Sequence, residues 1–269
     1  MIFENRAKIY DKGALASVYH YDTVYDGILR SDVSFFNQRK EKIVGSFFQA
    51  ASRAPGNPCL IYLHDLSSNH CDGFDIVPHF IGFGINVLLF DFRCCGLSEG
   101  DCFSYGYYEI NDIEAAITYL KSVYSVLSVI LYGKGFGAKL ALKASNCYKH
   151  ILGVICEDPI YSFSESIWDS SFCFIGRYMI QHKMNNHLKK KFGITIDSLD
   201  NRALIQKSTS PVFIMCSEDC RQGFNLFQCI GSRNKFINTG KSMHNVVAFV
   251  LDAFDLEVDG ECDISDDFE

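Results

Sequence analysis

The sequence predicts an α/β protein with a doubly wound, mostly parallel central sheet, and three observations lead to this prediction. Six short apolar runs alternate with helical patterns along most of the 269 residues. Near-continuous apolar runs are typical of parallel strands that are covered by helices on both faces. The length suits one α/β domain with an insertion, and a hydrophobic content of 48% with only 5 prolines is that of a globular chain.

The predicted strands follow one another in a simple order. An antiparallel hairpin comes first, because residues 33–36 and 43–49 alternate around the segment NQRK. The parallel strands come next, and they are CLIYL (59–63), NVLLF (86–90), LSVILY (127–132), ILGVIC (151–156), PVFIMC (211–216) and KFIN (235–238). Alternation of such strands with helices is the pattern of a doubly wound sheet.

Helical periodicity fills the segments between the strands. An amphipathic helix is predicted over 107–123, where apolar residues recur at spacings of three and four: Ile110, Ile113, Ile117 and Leu120. More than fifty residues separate the fourth parallel strand from the fifth. We expect a helical cap insertion there, over about 161–208. Its apolar stripe is expected to pack on the sheet, and it consists of Trp168, Phe172, Ile175 and Met179.

Acidity is concentrated at the C terminus. The net charge is −7, and residues 255–269 hold eight carboxylates without any lysine or arginine, so the remaining residues sum to +1. We therefore predict one domain over 1–254 and an acidic, solvated and disordered tail over 255–269. The body gives no reason to expect a nucleic-acid partner. The lysine run 189–191 is interpreted as a solvated helix face.

The twelve cysteines are expected to be thiols in a cytoplasmic, reducing setting. The opening segment MIFENRAKIY lacks the basic region and apolar run of a secretory signal. Cys216 and Cys220 flank an acidic pair, and neither a zinc site nor a redox motif is favoured. The longest apolar stretch, 77–90, is interrupted and shorter than the ~18 to 20 residues that span a bilayer, so no transmembrane helix is predicted. No metal and no cofactor is predicted.

Two segments compete for the G-x-S-x-G pattern that carries the nucleophile of many serine hydrolases. GLSEG (96–100) matches it literally, but no helix begins at Ser98, so the required strand, sharp turn and helix are missing. GKGFG (133–137) has that context, because it follows an apolar strand and opens a helix of small residues. Its central residue is Gly135.

With these motifs in this order, the chain resembles the α/β-hydrolase superfamily, in particular its serine aminopeptidase-like and monoacylglycerol-lipase-like branch. The resemblance covers roughly residues 30 to 250. It rests on five segments, which are YLHD (62–65), DFRCCGLSEG (91–100), GKGFG (133–137), CSEDC (216–220) and GKSMHN (240–245). The resemblance implies an α/β-hydrolase fold and makes GLSEG a structural loop. It also implies site positions, which are the oxyanion loop at His64 and Asp65, an oxyanion amide at Phe136, the nucleophile position at Gly135, the acid at Asp219 and the base at His244.

Two departures from the superfamily pattern bear on activity. Gly135 has no side chain where serine is expected, so no acyl-enzyme can form at this position. Asp65 replaces the glycine that usually follows the oxyanion-loop histidine, and a carboxylate there opposes the negative charge of the transition state. The geometry of the turn is expected to be kept, because glycine adopts its strained conformation at little cost.

Three hypotheses for function follow. The leading one is a catalytically impaired α/β-hydrolase-like protein, a pseudoenzyme, that binds a small apolar or acyl ligand or a protein partner. The alternative is an active esterase, lipase or peptidase that uses a displaced nucleophile or a water activated by His244 and Asp219. Asp158 is a second candidate acid, and Cys94 and Cys95 are candidate thiols for which a structural role is more common. The third is an interaction protein that acts through its acidic tail.

Overall fold

The protein is described by a computed structural model that covers residues 10–19, 28–160, 174–200, 202–217, 221–240 and 242–256. Within these ranges one sheet has the strand order β1-β2-β3-β5-β4-β6-β7-β8-β9. The strands are β1 (Val18–Tyr19), β2 (Ile28–Phe36), β3 (Lys42–Phe48), β4 (Cys59–Leu63), β5 (Asn86–Phe90), β6 (Val129–Lys134), β7 (Ile151–Glu157), β8 (Val212–Cys216) and β9 (Lys235–Thr239). Strands β1 to β3 pair antiparallel, as do β3 and β5, and all pairs from β5 to β9 are parallel. The predicted fold class is confirmed.

Helices cover both faces of this sheet. They are α1 (Pro78–Ile81), α2 (Ile110–Tyr124), α3 (Phe136–Ser145), α4 (Phe174–Phe192), α5 (Arg202–Ile205), α6 (Arg221–Cys229) and α7 (Met243–Ala253). On one face Leu120 of α2 and Leu140 of α3 pack with Ile61, and on the other face Phe80 of α1 and Val250 of α7 pack with Tyr62. Successive residues of β4 therefore belong to opposite layers, which is why the whole strand is apolar and buried.

The observed strands agree with the apolar runs to within two residues at the six parallel positions. The hairpin is longer than predicted, because β2 begins at Ile28 rather than at residue 33. The inward positions of its first half include the charged Arg30, which is 8% exposed. The alternation of apolar and polar residues is therefore interrupted at Arg30, although its side chain still points inward as the strand geometry requires.

The predicted cap is described only in part, because residues 161–173 lie outside the described ranges. Helix α4, a 3-10 helix (Ile196–Leu199) and α5 make up the described portion. Of the predicted apolar stripe, Met179 has a described side chain, and it is 53% exposed instead of packed on the sheet. The buried face of α4 instead carries Met184 and Leu188. Five helical residues turn the chain by about 140°, so the stripe and the buried face lie on different sides of the helix.

The remaining predictions concern the cysteines, the acidic tail, membrane-spanning helices and metal binding. Cys216, the last residue of β8, is disulfide-bonded, so the prediction of a thiol at this position is wrong, whereas the eight other described cysteines are thiols. Sequence spacing does not reveal which cysteines the fold brings within bonding distance. Residues 257–269 of the tail, like Cys220, lie outside the described ranges. In the described portion of the chain, no helix is long and apolar enough to cross a membrane, and no group of three His, Cys, Asp or Glu residues could hold a metal ion.

Candidate functional site

Gly135 lies at the sharp turn between β6 and α3, which we call the elbow (residues 133–137). Its backbone angles are φ 53° and ψ −111°, a combination that is open to glycine and strained for other residues. Its N–H donates to the Glu157 carbonyl at 2.8 Å, and its carbonyl accepts from the Ile160 N–H at 3.3 Å. Both groups belong to the end of β7, so the neighbouring strand fixes the elbow.

The flanking glycines allow the turn to be this tight. A Cβ added to Gly133 would lie 2.5 Å from the Cα of Ala138, and one added to Gly137 would lie 2.6 Å from the carbonyl carbon of Leu63. Both distances are far below normal contact between carbon atoms. The elbow therefore requires glycine at both positions, and both belong to the segment GKGFG.

The carboxylate of Asp65 fills the space directly above Gly135. Its Oδ1 accepts a hydrogen bond from the backbone N–H of Phe136 at 2.7 Å. A Cβ placed on Gly135 would lie 2.6 Å from the Asp65 Cγ, and Oδ1 would be closer still. One acidic side chain thus occupies both the volume that a nucleophile needs and the amide at the N terminus of α3, where the helix dipole favours a negative charge.

His64 holds the backbone of Asp65 in this position. The imidazole is fully buried, its Nδ1 contacts the Asp65 carbonyl at 2.7 Å, and its Nε2 contacts the N–H of Phe92 at 3.1 Å. A carbonyl only accepts and a backbone N–H only donates, so His64 carries its proton on Nδ1 and is neutral. Burial lowers the pKa of His64, which agrees with this state. His64 is thus a positioning residue whose two ring nitrogens are both engaged.

The Phe136 side chain turns away from the elbow into the core. Its ring is fully buried and makes edge contacts with Phe92 and Phe103, with ring centroids 6.2 Å and 5.1 Å apart. Only the amide of Phe136 belongs to the site. That amide is the oxyanion donor which the resemblance implies, and it is already bonded to Asp65.

Glu157 is a buried acid at this edge of the sheet that the sequence analysis missed. Its Oε2 accepts from the Tyr132 hydroxyl at 2.9 Å, and its Oε1 lies 3.3 Å from the Lys134 Nζ. Burial, together with the Glu157 charge, raises the pKa of the Tyr132 hydroxyl well above its ordinary value. A carboxylate that ends the apolar run ILGVIC was the available signal, since strand ends carry the functional groups of such sheets.

Asp158, the second candidate acid, ties two strand ends together. Its Oδ1 accepts from the N–H and the hydroxyl of Ser217 at 2.7 Å and 2.9 Å, and its own N–H donates to the Met215 carbonyl at 2.9 Å. Its φ of 43° is unusual for a residue other than glycine. These bonds connect the end of β7 to the end of β8.

The roles of His244 as the base and Asp219 as the acid remain predictions. His244 lies in the first turn of α7 and is exposed, and its ring makes no hydrogen bond to another described residue. Asp219 lies outside the described residues. The pairing of this acid with this base is therefore still inferred from the resemblance.

Ser98 is part of a buried loop. Its hydroxyl donates to the Asp91 carbonyl at 2.7 Å and accepts from the Val44 N–H at 2.9 Å, and the residue is fully buried. In the same loop, Cys94 and Cys95 are buried thiols, and burial raises the pKa of Cys95 well above its ordinary value. GLSEG thus has hydrogen bonds and burial typical of a structural loop, and Cys95 is a protonated thiol.

Solved structures resemble this arrangement of sheet and helices over most of its length. An esterase of Pyrococcus furiosus superposes with a TM-score of 0.66 at 18% identity, covering 85% of this chain and 91% of that one. An α/β-hydrolase of Penicillium sp. sh18 gives 0.61 at 18% identity, covering 83% and 97%. The chain has an α/β-hydrolase fold. Acetyl xylan esterase 1 of Thermoanaerobacterium sp. JW/SL YS485 shares the α/β-hydrolase fold with a TM-score of 0.63 at 17% identity, covering 88% and 87%.

Sequence comparison adds one partial match. No family model matches the chain. The uncharacterized protein YqkD of Bacillus subtilis (strain 168) is 26% identical over 168 residues, which is 60% of this chain and 54% of that protein. The match thus spans about half the length of this relative. The fold therefore rests on the solved structures, and the reaction must be argued from the site.

Proposed function

We propose that this α/β-hydrolase-like protein does not hydrolyse substrates at its elbow and instead uses the site to bind a small apolar or acyl ligand, or a protein partner. One observation carries the proposal. The Asp65 carboxylate lies 2.7 Å from the Phe136 amide, in the volume that a side chain at position 135 would need. The nucleophile is missing and its space is taken by the same acidic group.

The size of the catalytic loss supports this proposal. In subtilisin, loss of the serine nucleophile lowers kcat on the order of 10⁶-fold. Removal of one oxyanion donor from such a site costs roughly 10²- to 10³-fold. These losses do not simply multiply, because both groups act on one transition state. Loss of the nucleophile alone leaves too little turnover for a physiological hydrolase.

The charge at the elbow narrows the class of ligand. Asp65 presents a carboxylate at the position where an oxyanion or a free carboxylic acid would otherwise bind. Glu157 adds a buried carboxylate at the same edge, and Lys134 offsets that charge at 3.3 Å. We therefore expect uncharged ligands, such as intact esters or amides, in preference to free carboxylates.

The test compares ester hydrolysis by four proteins: the wild type, Gly135→Ser, Asp65→Gly and the double variant. A panel of nitrophenyl esters of increasing acyl length is the substrate. We expect turnover only in the double variant, because serine alone collides with Asp65 and glycine alone leaves no nucleophile. Adding His244→Ala to the double variant should abolish the recovered turnover if His244 is the base, since a missing base costs on the order of 10²- to 10⁴-fold.

The wild type provides the decisive contrast. Ester turnover by the wild type that disappears in His244→Ala would contradict the proposal and favour a water activated by His244 and Asp219. Activity in Gly135→Ser alone would show that Asp65 does not block the elbow. Thermal unfolding of every variant, followed by circular dichroism, serves as the control for correct folding.

A further inference from the structure

A second chain of serine, histidine and aspartate lies outside the elbow. The hydroxyl of Ser46, on β3, is 3.0 Å from Nε2 of His70, and Nδ1 of His70 is 2.8 Å from Oδ1 of Asp91. His70 opens the 3-10 helix His70–Ile76, and Asp91 directly follows β5. These separations match those of a nucleophile, a base and an orienting acid.

Two neighbouring groups fix the direction of the protons in this chain. Nη1 of Arg30 lies 3.0 Å from the Ser46 Oγ, and a guanidinium can only donate, so the hydroxyl proton of Ser46 is left to point at His70. Burial raises the pKa of Asp91, but hydrogen bonds from His70 outweigh it and leave the net pKa below the ordinary value. Asp91 is thus an ionised acceptor, and His70 carries its proton on Nδ1. Nε2 is left as the acceptor that a general base requires.

Asp91 is held rigidly enough to orient the imidazole. Its Oδ1 also accepts from the N–H of His70 at 2.9 Å, and its Oδ2 accepts from the Leu97 N–H and the Tyr10 hydroxyl, both at 3.0 Å. The donors are thus the backbone N–H and the ring of His70, the backbone N–H of Leu97 and the hydroxyl of Tyr10. The acid therefore has a fixed position, which is what an orienting group in a catalytic site needs.

Arg30 places a positive charge next to the serine oxygen. Its side chain is 5% exposed and is held by Asp32 at 2.5 Å and by the Ala16 carbonyl at 2.7 Å. Ser46 lies on β3, which is paired with β2 on one side and β5 on the other, so the backbone N–H of Ser46 belongs to the sheet. The guanidinium is therefore the donor that we assign to a developing oxyanion. A preorganised cation at this position stabilises negative charge on a tetrahedral intermediate.

A short segment with mostly polar contacts lies against His70, and we call residues 10–14, which precede β1, the arm. The ring of Tyr10 meets the His70 ring edge-on with centroids 5.1 Å apart, and Lys12 pairs with Asp32 at 3.2 Å. Ser46 and His70 are 0% and 1% exposed, and the arm contacts His70 and Asp91 through Tyr10. Every residue of the arm keeps part of its own surface exposed, so little apolar burial holds the arm down. Segments of this kind open locally at low free-energy cost.

We propose that Ser46, His70, Asp91 and Arg30 form a second, latent nucleophilic site that takes activated acyl or phosphonyl electrophiles when the arm lifts. The Ser46 oxygen bonds to the carbonyl carbon or phosphorus, and the leaving group departs with its bonding electron pair. The hydroxyl proton moves to Nε2 of His70, Asp91 faces the resulting imidazolium, and the imidazolium then passes this proton to the leaving group, so that His70 is neutral again. For an acyl adduct, water then attacks the ester, the neutral His70 accepts a proton from that water and returns it to the Ser46 oxygen, and the carboxylic acid and free Ser46 are released. Neither Gly135 nor His244 takes part, so this site is independent of the elbow.

The experiment is labelling of the full-length protein with a fluorophosphonate probe, followed by peptide mapping. Attack by Ser46 displaces fluoride and leaves a phosphonyl ester on the peptide that contains residue 46. We expect slow labelling of the wild type and labelling about tenfold faster in Tyr10→Ala, which loses one hydrogen bond that keeps the arm closed. In the Tyr10→Ala background, Ser46→Ala should abolish the adduct, and His70→Gln should slow it on the order of 10²-fold.

Two further variants make the result decisive. Ser104→Ala removes another buried serine, whose hydroxyl donates to Glu109 outside this site, and it should leave labelling of Ser46 unchanged. Tyr10→Phe removes only the hydroxyl contact with Asp91, so it decides the question if Tyr10→Ala does not fold. Absence of a Ser46 adduct in a Tyr10 variant that unfolds cooperatively overturns the proposal. An adduct whose rate does not respond to His70→Gln overturns it equally.

Discussion

Gly135→Ser is expected to be destabilising, and the cost depends on Asp65. The substitution puts a Cβ 2.6 Å from the Asp65 Cγ, so the carboxylate must leave the Phe136 amide. A hydrogen bond to a charged group contributes ~1.5 to 3 kcal/mol to the free energy of unfolding. The backbone at φ 53° adds strain of ~1 to 3 kcal/mol for a residue other than glycine. We expect Gly135→Ser to lower the free energy of unfolding by the sum, ~2.5 to 6 kcal/mol.

A double-mutant cycle separates these two contributions. Asp65→Gly removes the same hydrogen bond to Phe136 that Gly135→Ser displaces. The double variant loses that bond only once, so its destabilisation should fall short of the sum of the single variants by ~1.5 to 3 kcal/mol. Urea unfolding followed by the helical circular dichroism signal measures all four free energies.

Two control variants isolate the strain and the charge. Gly193 has φ 71° with no atom within 4 Å of an added Cβ, so Gly193→Ser reports the strain of a positive φ without any collision. Asp65→Asn keeps an oxygen that can accept from Phe136 and removes the charge. Additivity of Gly135→Ser and Asp65→Gly within ~0.5 kcal/mol would refute the reasoning, because it would mean that the two residues do not share one space.

Other predictions concern buried charges around the sheet. Burial raises the pKa of Asp112 to about 8, so the contribution of Asp112 to the free energy of unfolding is fully present below the ordinary aspartate pKa and is lost as the pH rises through about 8. The urea midpoint of Asp112→Asn should therefore fall less between pH 5 and pH 8 than that of the wild type. An equal fall in both proteins would count against this. Arg93 donates to both carboxylate oxygens of Glu41, at 2.7 Å and 2.5 Å. Arg93→Lys should therefore lower the free energy of unfolding by roughly 2 to 4 kcal/mol in the same assay, and a loss below ~0.5 kcal/mol would exclude a bidentate pair. His64→Gln should destabilise by roughly 1 to 3 kcal/mol, because glutamine cannot reach both the Asp65 carbonyl and the Phe92 N–H, and retention of the wild-type urea midpoint would show that those bonds are dispensable.

Much of the fold was predictable because burial leaves a local signature. The runs at 59–63 and 86–90 coincide with β4 and β5, since strands covered on both faces must be apolar throughout. The elbow at Gly135 was equally visible, because a tight strand–turn–helix requires glycines at fixed offsets. Local patterns were weaker where a buried side chain is charged, as at Arg30, and where a helix has no strong apolar stripe, as at Met179.

The sequence by itself determined the α/β class, the succession of strands along the chain and the absence of a side chain at position 135, since each of these is read from local segments of the chain. Only the tertiary structure decided that the Asp65 carboxylate occupies the space over Gly135, because 71 residues separate Asp65 from the amide it binds. The Ser46–His70–Asp91 chain is likewise invisible to any motif. Contacts of this kind depend on which strands become neighbours and in which register, and hydrogen bonds over a few ångströms respond to that geometry rather than to spacing along the chain.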